Sequence, residues 1–489
     1  MFDEPGEMKQ APRPMRFQNY LWIFCLALPF PLEAQPVNTN GEARPLALND
    51  TIRMALEHNL EIRIENYNPQ IFRLTLDGSY GAYDPVFNAS GGHSYDSREG
   101  GVDPQGRELP PNQSRNDFIN GGLTGILPSG MNYQLSLRLS HSLNTRSDSI
   151  ETFSGNVGAV TLNQPLLRDF WIDQPRMTIR VNKKNLKISE FGVAFKVMDV
   201  TRRVQQAYYE LIFARENVKV QETALGLANR LVAENKKKVE VGVLAPLDEK
   251  QAESQAAISR ADLVRARADL SRAENVLKSL FTDDFGSWAG VSVIPSEELN
   301  PLPPTFSVVD SWQKGTTMRP DLAQQRLDLE KRDIVLKYNY NQLFPALDLF
   351  GTYGHNGFDP SSYGGVLRDF REGNSPSYQY GASFSVPLSN RSARNRYKQS
   401  KAEKQQAIDT LKKKEQDVLV EIDDAVKATR TSYERISATS EAAEYARIAY
   451  EAEQKRLDAG KSTPFVVLQL QRDLTTRRSE SRHRRLPNL

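Results

Sequence analysis

Apolar and small residues recur along one long stretch of this chain at alternating steps of three and four. Positions 197, 200, 204, 207, 211, 214, 218, 221, 225, 228, 232, 235 and 239 carry Val, Val, Val, Ala, Leu, Ala, Val, Gln, Leu, Ala, Val, Asn and Val. This is the stripe of a helix that buries one narrow seam, interrupted only by Gln221 and Asn235. Moving 218 positions along keeps the register: Val418, Ile422, Ala425, Thr429, Ser432, Ile436, Thr439, Ala443, Ala446, Tyr450, Glu453 and Leu457. The second seam is smaller and more polar, and its short side chains allow helices to approach closely. The pattern predicts long helices over 175–241 and 391–459, of 67 and 69 residues. At ~1.5 Å per residue each is on the order of 100 Å long. Such helices do not fold into one compact domain; they suit the wall of a tube. A return helix is predicted over 247–281, and a shortened one over 465–483. A further helix, Ile62–Asp84, laid end to end with the first return helix, roughly matches the long one.

A second period appears between the helices. In "MNYQLSLRLSH" (131–141), Tyr133, Leu135, Leu137 and Leu139 alternate with Gln134, Ser136, Arg138 and Ser140. "SYQYGASFSVPL" (377–388) alternates in the same way through Tyr378, Tyr380, Ala382, Phe384 and Val386. Six strands are predicted: Val86–Tyr95, Phe118–Leu127, Met131–Leu143, Ser154–Asn163, Ala346–Tyr353 and Tyr378–Pro387. One apolar and one polar face over about 10 residues fits a membrane barrel with a wet lumen. It also fits an ordinary antiparallel sheet. A handful of strands cannot enclose a channel alone, so a barrel requires several chains.

The two patterns repeat together. "VEVGVLAPLDE" (239–249) and "LDAGKSTPFVV" (457–467) place Gly242 against Gly460 and Pro246 against Pro464, both 218 positions apart. Glycine admits the left-handed residue that ends a helix, and proline suits the first turn of the next. Each half reads as helix, strands, very long helix, turn and returning helix. The halves span 46–294 (strands within 86–163) and 307–489 (strands within 346–387), joined by the Pro-rich segment 295–306. The first half carries one additional hairpin, 116–143, turned at "PSG" (128–130). It could widen a barrel or extend outside the membrane, and the sequence does not decide.

Composition narrows the class. Only 39% of residues are hydrophobic and 25% are charged, lean for a compact core but normal for long helices with polar faces. A net charge of +2 gives no case for nucleic acid. Residues 1–34 read as a secretion signal, with Met15 as an alternative start: Arg16 precedes an apolar core Tyr20–Leu32 and a small residue at Ala34. Cleavage there removes Cys25, the single cysteine, so the exported chain has no redox chemistry. Phe24 is too large to precede a lipidated cysteine. No other stretch has the ~18–20 apolar residues of a membrane helix, so any span must be made of strands. The five histidines are scattered, without HExxH or cysteine partners, and "GGLTG" (121–125) fails both phosphate-loop patterns. No catalytic residue, cofactor or metal site is expected, and a conduit needs none.

With "LALNDTIRMALEHNLEI" (46–62), "NQPLL" before the long helix, "VGVLAPLD" at its far end and the two-fold repeat, the chain resembles the TolC family of outer-membrane efflux proteins, from residue 46 to about Arg472. The resemblance implies an α+β membrane protein, a long α-helical coiled-coil barrel joined to an antiparallel transmembrane β-barrel shared between subunits. Family members are similar in forming homotrimers with four strands per subunit. They stand in the outer membrane, with the helical tube in the periplasm of a Gram-negative bacterium. An inner-membrane pump drives tripartite efflux or type I secretion through them, with a periplasmic adaptor docked at the tube's tip. The resemblance therefore makes Gly242, Val243, Leu244, Ala245 and Pro246, with Gly460, Lys461, Ser462, Thr463 and Pro464, adaptor-docking turns. Without it they read as hairpin connectors.

It also implies a pore gate from acidic residues beyond each turn. Asp248 matches the first; the corresponding second positions are Val466 and Gln469, which departs from the family pattern. Asp248 is equally suited to be a plain helix N-terminal acid. The segment after Pro464 is shorter than its counterpart after Pro246, which raises the expectation of an incompletely walled duct. A structural coiled-coil or adhesin-like envelope protein is the contrasting reading, but such a protein has no need of twin tip turns.

Overall fold

A computed structural model describes residues 43–102, 104–108, 111–145, 150–297 and 306–484. The secretion signal 1–34 and most of the Pro-rich segment 295–306 lie outside the described residues. In chain order the elements are β1 (Ala43–Leu46), α1 (Leu48–His58), α2 (Leu60–Glu65), α3 (Tyr67–Ser79), β2 (Val86–Arg98), β3 (Asn112–Ile126), β4 (Asn132–Asn144), β5 (Ile150–Pro165), α4 (Gln174–Glu240), α5 (Pro246–Phe281), α6 (Phe285–Trp288), β6 (Ser292–Pro295), α7 (Val308–Met318), α8 (Pro320–Asn341), β7 (Ala346–Asp359), α9 (Tyr363–Glu372), β8 (Pro376–Ser385), α10 (Arg391–Asp458) and α11 (Pro464–Arg484).

The long helices form where the three–four seam predicts, with 67 residues in α4 and 68 in α10. Asp173 starts α4 by accepting the Arg176 N–H at 2.8 Å, and Pro175 stands in its first turn, where no N–H is needed. The seam is the buried face of α4. Val200, Val204, Ala207, Leu211, Ala214, Ala228 and Asn235 are buried and the other seam positions from Val197 to Val239 are half-buried, because α5 packs along this side. On α10 only Val418, Ala446, Tyr450 and Leu457 of the seam are buried, and Ala425 is exposed. The 21-residue α11 covers the far end of that seam, and α7 and α8 cover its beginning. Gly315 lets α7 come close: a Cβ there would stand 2.3 Å from Ile422. Nearby the Trp312 indole N–H donates to the Leu419 carbonyl at 3.1 Å.

All six predicted strands form; β2, β3, β5 and β7 run longer than the alternation suggested, while β4 and β8 keep the expected length, shifted by one and two residues. They make one antiparallel sheet in the order β2-β3-β4-β5-β7-β8. The additional hairpin, β3–β4, is therefore an internal pair of strands hydrogen-bonded on both sides. The predicted single helix Ile62–Asp84 is instead α2, α3 and a 3-10 turn at Tyr80–Tyr83. Asn66 caps α2, and Pro69 in the first turn of α3 has no N–H to continue a ladder from α2.

The largest core lies midway along α4. Tyr208, Leu211, Leu277, Phe281 and Val293 are fully buried there among α1, α4, α5 and β6. A short parallel pair, β1 with β6, crosses it. The Tyr208 hydroxyl donates to the Leu46 carbonyl at 2.9 Å and accepts the Ser296 N–H at 3.2 Å, fastening both short strands to α4. Among the described residues no helix is long and apolar enough to cross a membrane.

Candidate docking tip and channel wall

The two helical turns share one backbone design. At the first, the Val243 N–H donates to Lys238 O at 2.8 Å and the Gly242 N–H to Val239 O at 2.9 Å. At the second, Lys461 donates to Arg456 O at 2.8 Å and Gly460 to Leu457 O at 3.0 Å. These are the paired bonds of a Schellman ending, which requires a left-handed residue at the glycine. Gly242 has φ +76° and Gly460 φ +71°, with no atom within 4 Å of a Cβ built at either. Open space surrounds both, so backbone conformation alone demands glycine.

After each turn a proline starts the return helix. Pro246 is exposed, whereas Pro464 is buried. Asp248 is half-buried and its carboxylate accepts the Ala245 N–H at 3.1 Å, while its own N–H bonds to Ala245 O at 3.0 Å. Val466 bonds to Thr463 O at 3.2 Å in the matching place, but has no carboxylate to close the cap. In the second turn the Ser462 hydroxyl instead donates back to Glu453 of α10.

The fold brings the two turns to one end. Lys238 reaches Asp458 at 3.8 Å, linking the last turns of α4 and α10. Gln471 of α11 donates to Ala224 O of α4 at 3.1 Å, and Arg472 to Gln255 of α5 at 2.7 Å. Leu231, Tyr450, Leu457, Val467, Leu468 and Leu474 pack between the helices. Around this end stand exposed apolar side chains that the sequence reading did not single out: Val241, Leu247 and Phe465, beside Val243. Their exposure next to a helix end is a tertiary property; the seam pattern marks only what a helix buries.

At the opposite end of α4 the chain enters the sheet. Asn341 joins the two: its side chain accepts the Asp169 N–H at 2.7 Å and donates to Leu167 O at 3.2 Å. Gln342 donates to the Asp169 carboxylate at 2.6 Å, and Arg176 to Asp169 O at 2.8 Å. Asp169 itself adopts φ +64°. The sheet beyond is two-faced. The register puts Phe87, Ile119, Leu135, Leu162, Tyr353 and Tyr380 on one face and Ser90, Asn120, Gln134, Thr161, Thr352 and Gln379 on the other.

The histidines are less scattered than they look in sequence. His93 and His141 both meet Asp117, at 2.5 and 3.4 Å, in one row across β2, β3 and β4. Among the described residues no group of side chains has the arrangement of a metal site.

A two-faced antiparallel sheet thus stands at one end of ~100 Å helices and the paired turns at the other. The profile of the outer membrane efflux protein family matches residues 130–281 and 315–485. The chain belongs to this family, whose members are outer-membrane channels and not enzymes. No curated protein matches the chain. Solved structures similar to it include the Campylobacter jejuni CmeC outer membrane channel, with a TM-score of 0.65 and 17% identity over 90% of this chain and 82% of that one. The outer membrane protein VceC of Vibrio cholerae gives 0.60 and 18%, covering 90% and 94%. The open state of the Neisseria gonorrhoeae MtrE outer membrane channel gives 0.60 and 15%, covering 90% and 86%. At these identities the likeness is one of fold.

Proposed function

We propose that this chain is the outer-membrane duct of a tripartite efflux or type I secretion assembly. In this reading three copies share one β-barrel in the outer membrane, and their helices form a coiled-coil tube through the periplasm. Each chain contributes two repeats, 46–294 and 307–489. A periplasmic adaptor docks on the turns Gly242–Pro246 and Gly460–Pro464, six of them around one mouth. An inner-membrane pump supplies the energy, and the duct itself is passive. Asp248 lines the mouth as the gate residue of the first turn, while Val466 leaves the second turn without an acid.

The observation that carries this reading is the identity of the two Schellman turns, set side by side at the end of the helices away from the two-faced sheet. The exposed Val241, Val243, Leu247 and Phe465 give an adaptor an apolar rim to cover. The test is to express the chain, fractionate membranes, measure the particle mass in detergent and record conductance in planar bilayers. A membrane trimer with discrete channel steps is the expected result. A soluble monomer would sink the duct reading.

A further inference from the structure

In the half of the sheet nearer the helices the apolar face continues across all six strands; farther out the same face carries the His93–Asp117–His141 row and is covered over β5 and β7 by α9. Phe87 on β2, Ile119 on β3, Leu135 on β4, Leu162 on β5, Tyr353 on β7 and Tyr380 on β8 share this face and all are exposed. The opposite face is mostly polar across the same six strands, with Phe118 and Phe350 lying over Gly92 and Gly381. Asn120 reaches Ser90 at 3.4 Å, and Thr161 meets Thr352 at 3.1 Å. At the helix-proximal end of the polar side the 3-10 turn and the strands enclose a cleft of about 410 Å³, lined by Gly81, Asp84, Thr124, Gln134 and Thr161. If β2 and β3 stood in water beside a four-strand wall, nothing would favour an outward row of Phe87 and Ile119 continuous with the lipid face.

The sheet has two free edges, the outer side of β2, with 13 residues, and the outer side of β8, with 10. A free edge in hydrocarbon leaves backbone groups without partners, which a bilayer does not tolerate. β2 leaves the helical end and β8 returns to it, so the two edges run in opposite directions and suit antiparallel pairing. Resting on the trimeric duct reading above, we propose that β8 of one copy pairs with β2 of the next, closing an eighteen-stranded barrel in which the hairpin β3–β4 is wall. With strands ~4.8 Å apart and tilted by ~40°, eighteen strands enclose a backbone diameter of about 36 Å. The twelve strands that four per chain would supply enclose about 24 Å by the same geometry. The additional hairpin thus widens the exit and lines it with serine, threonine, asparagine and glutamine, and with one arginine per copy, Arg138, level with Asn120 and Asn156.

Cysteine pairs test the edges. In a Cys25→Ser background, Asn88→Cys or Ser90→Cys on β2 is combined with Gln379→Cys or Ser383→Cys on β8. Oxidised in native membranes, at least one pair should give a disulfide-linked trimer on denaturing gels. Crosslinking of Gln134→Cys or Ser136→Cys on β4 to Ser383→Cys would overturn the proposal, because β2 and β3 would then lie outside a twelve-stranded wall. An intact trimer with no crosslink from either edge would overturn it as well. A chain that is no trimer at all fails the duct reading itself, a distinct result read from the detergent mass. A single mild substitution gives an independent measurement. Phe87→Trp should add emission that dibrominated phosphatidylcholine quenches, and unquenched emission would place β2 out of the lipid and reject the proposal.

Discussion

Lys414 holds Asp321 at 3.0 Å from the flank of α10, and 218 positions earlier Lys196 holds Glu61 at 3.2 Å from the flank of α4. In both places an acid in the first turn of a shorter helix is tied to a long one. The next contact keeps the pairing but reverses its sign. Arg203 of α4 meets Glu61 at 2.6 Å, whereas Glu421, again 218 positions on, meets Arg319 at 2.8 Å. An ion pair can swap ends without changing its geometry, so these contacts are alike although their residues differ.

Asp321 makes the second tie pH-dependent. Burial pushes its carboxyl up, but hydrogen bonds from Arg319 and Lys414 together outweigh this and hold it down to about 2, against an ordinary 3.8. A carboxyl held lower in the folded than in the unfolded chain stabilises fully above about pH 4, and that contribution is lost as pH falls toward 2. Asp321→Asn should therefore cost about 2 kcal/mol at neutral pH. Thermal unfolding of detergent-solubilised protein should show the difference shrinking below pH 4. A difference that stayed constant to pH 2 would mean that packing, not charge, sets it.

Gly242→Val and Gly460→Val should strain the two turns without creating clashes, since neither site has an atom within 4 Å of a Cβ. The left-handed backbone costs a side chain roughly 1–2 kcal/mol. The proposed outcome is reduced export and reduced adaptor crosslinking, with trimer mass unchanged in detergent. Unchanged export in the double variant would make the turns plain connectors.

Gly226 is the contrasting glycine. It lies inside α4, is exposed and has no neighbour within 4 Å of a Cβ. Gly226→Ala should stabilise the helix by about 1 kcal/mol, seen as slower amide exchange around residues 222–230. No gain there would imply that this surface touches another copy closely enough to exclude a methyl group.

Tyr208→Phe removes the hydroxyl that joins Leu46 and Ser296. The two part-buried backbone groups keep each other, since the Ser296 N–H also donates to Leu46 O at 3.1 Å, so the expected loss is that of one hydrogen bond, about 1 kcal/mol. Faster hydrogen exchange should be confined to β1 and β6, with the tip unaffected. Uniform acceleration along α4 would show that the core yields as one unit.

Much of this fold could be read from one chain because its signals are periodic. The seams from Val200 to Asn235 and from Val418 to Leu457 locate the long helices, and Gly242 and Gly460 end them within a residue of the expected place. Local chemistry was weaker evidence where distant residues decide the outcome. β1 and β6 are only four residues each, and their fastening hydroxyl, on Tyr208, lies 162 residues from its acceptor on Leu46. The helix α9, with Gly364 and Gly365 near its start, has little helical propensity. It forms over the sheet because Gly155 and Gly357 leave room for Val366, where a Cβ on either would come within 3.0 Å. The apolar rim of the tip was missed for a related reason. Leu247 and Phe465 are outside the buried seam, and periodicity has no signal for a side chain left uncovered.

The junction at Asp169 and Asn341 sets the mechanical scale of the molecule. Between it and Gly242 lies one helix on the order of 100 Å long, with its only proline in the first turn. Such a helix is a lever arm: a tilt of about 3° at the junction carries the far end roughly 5 Å.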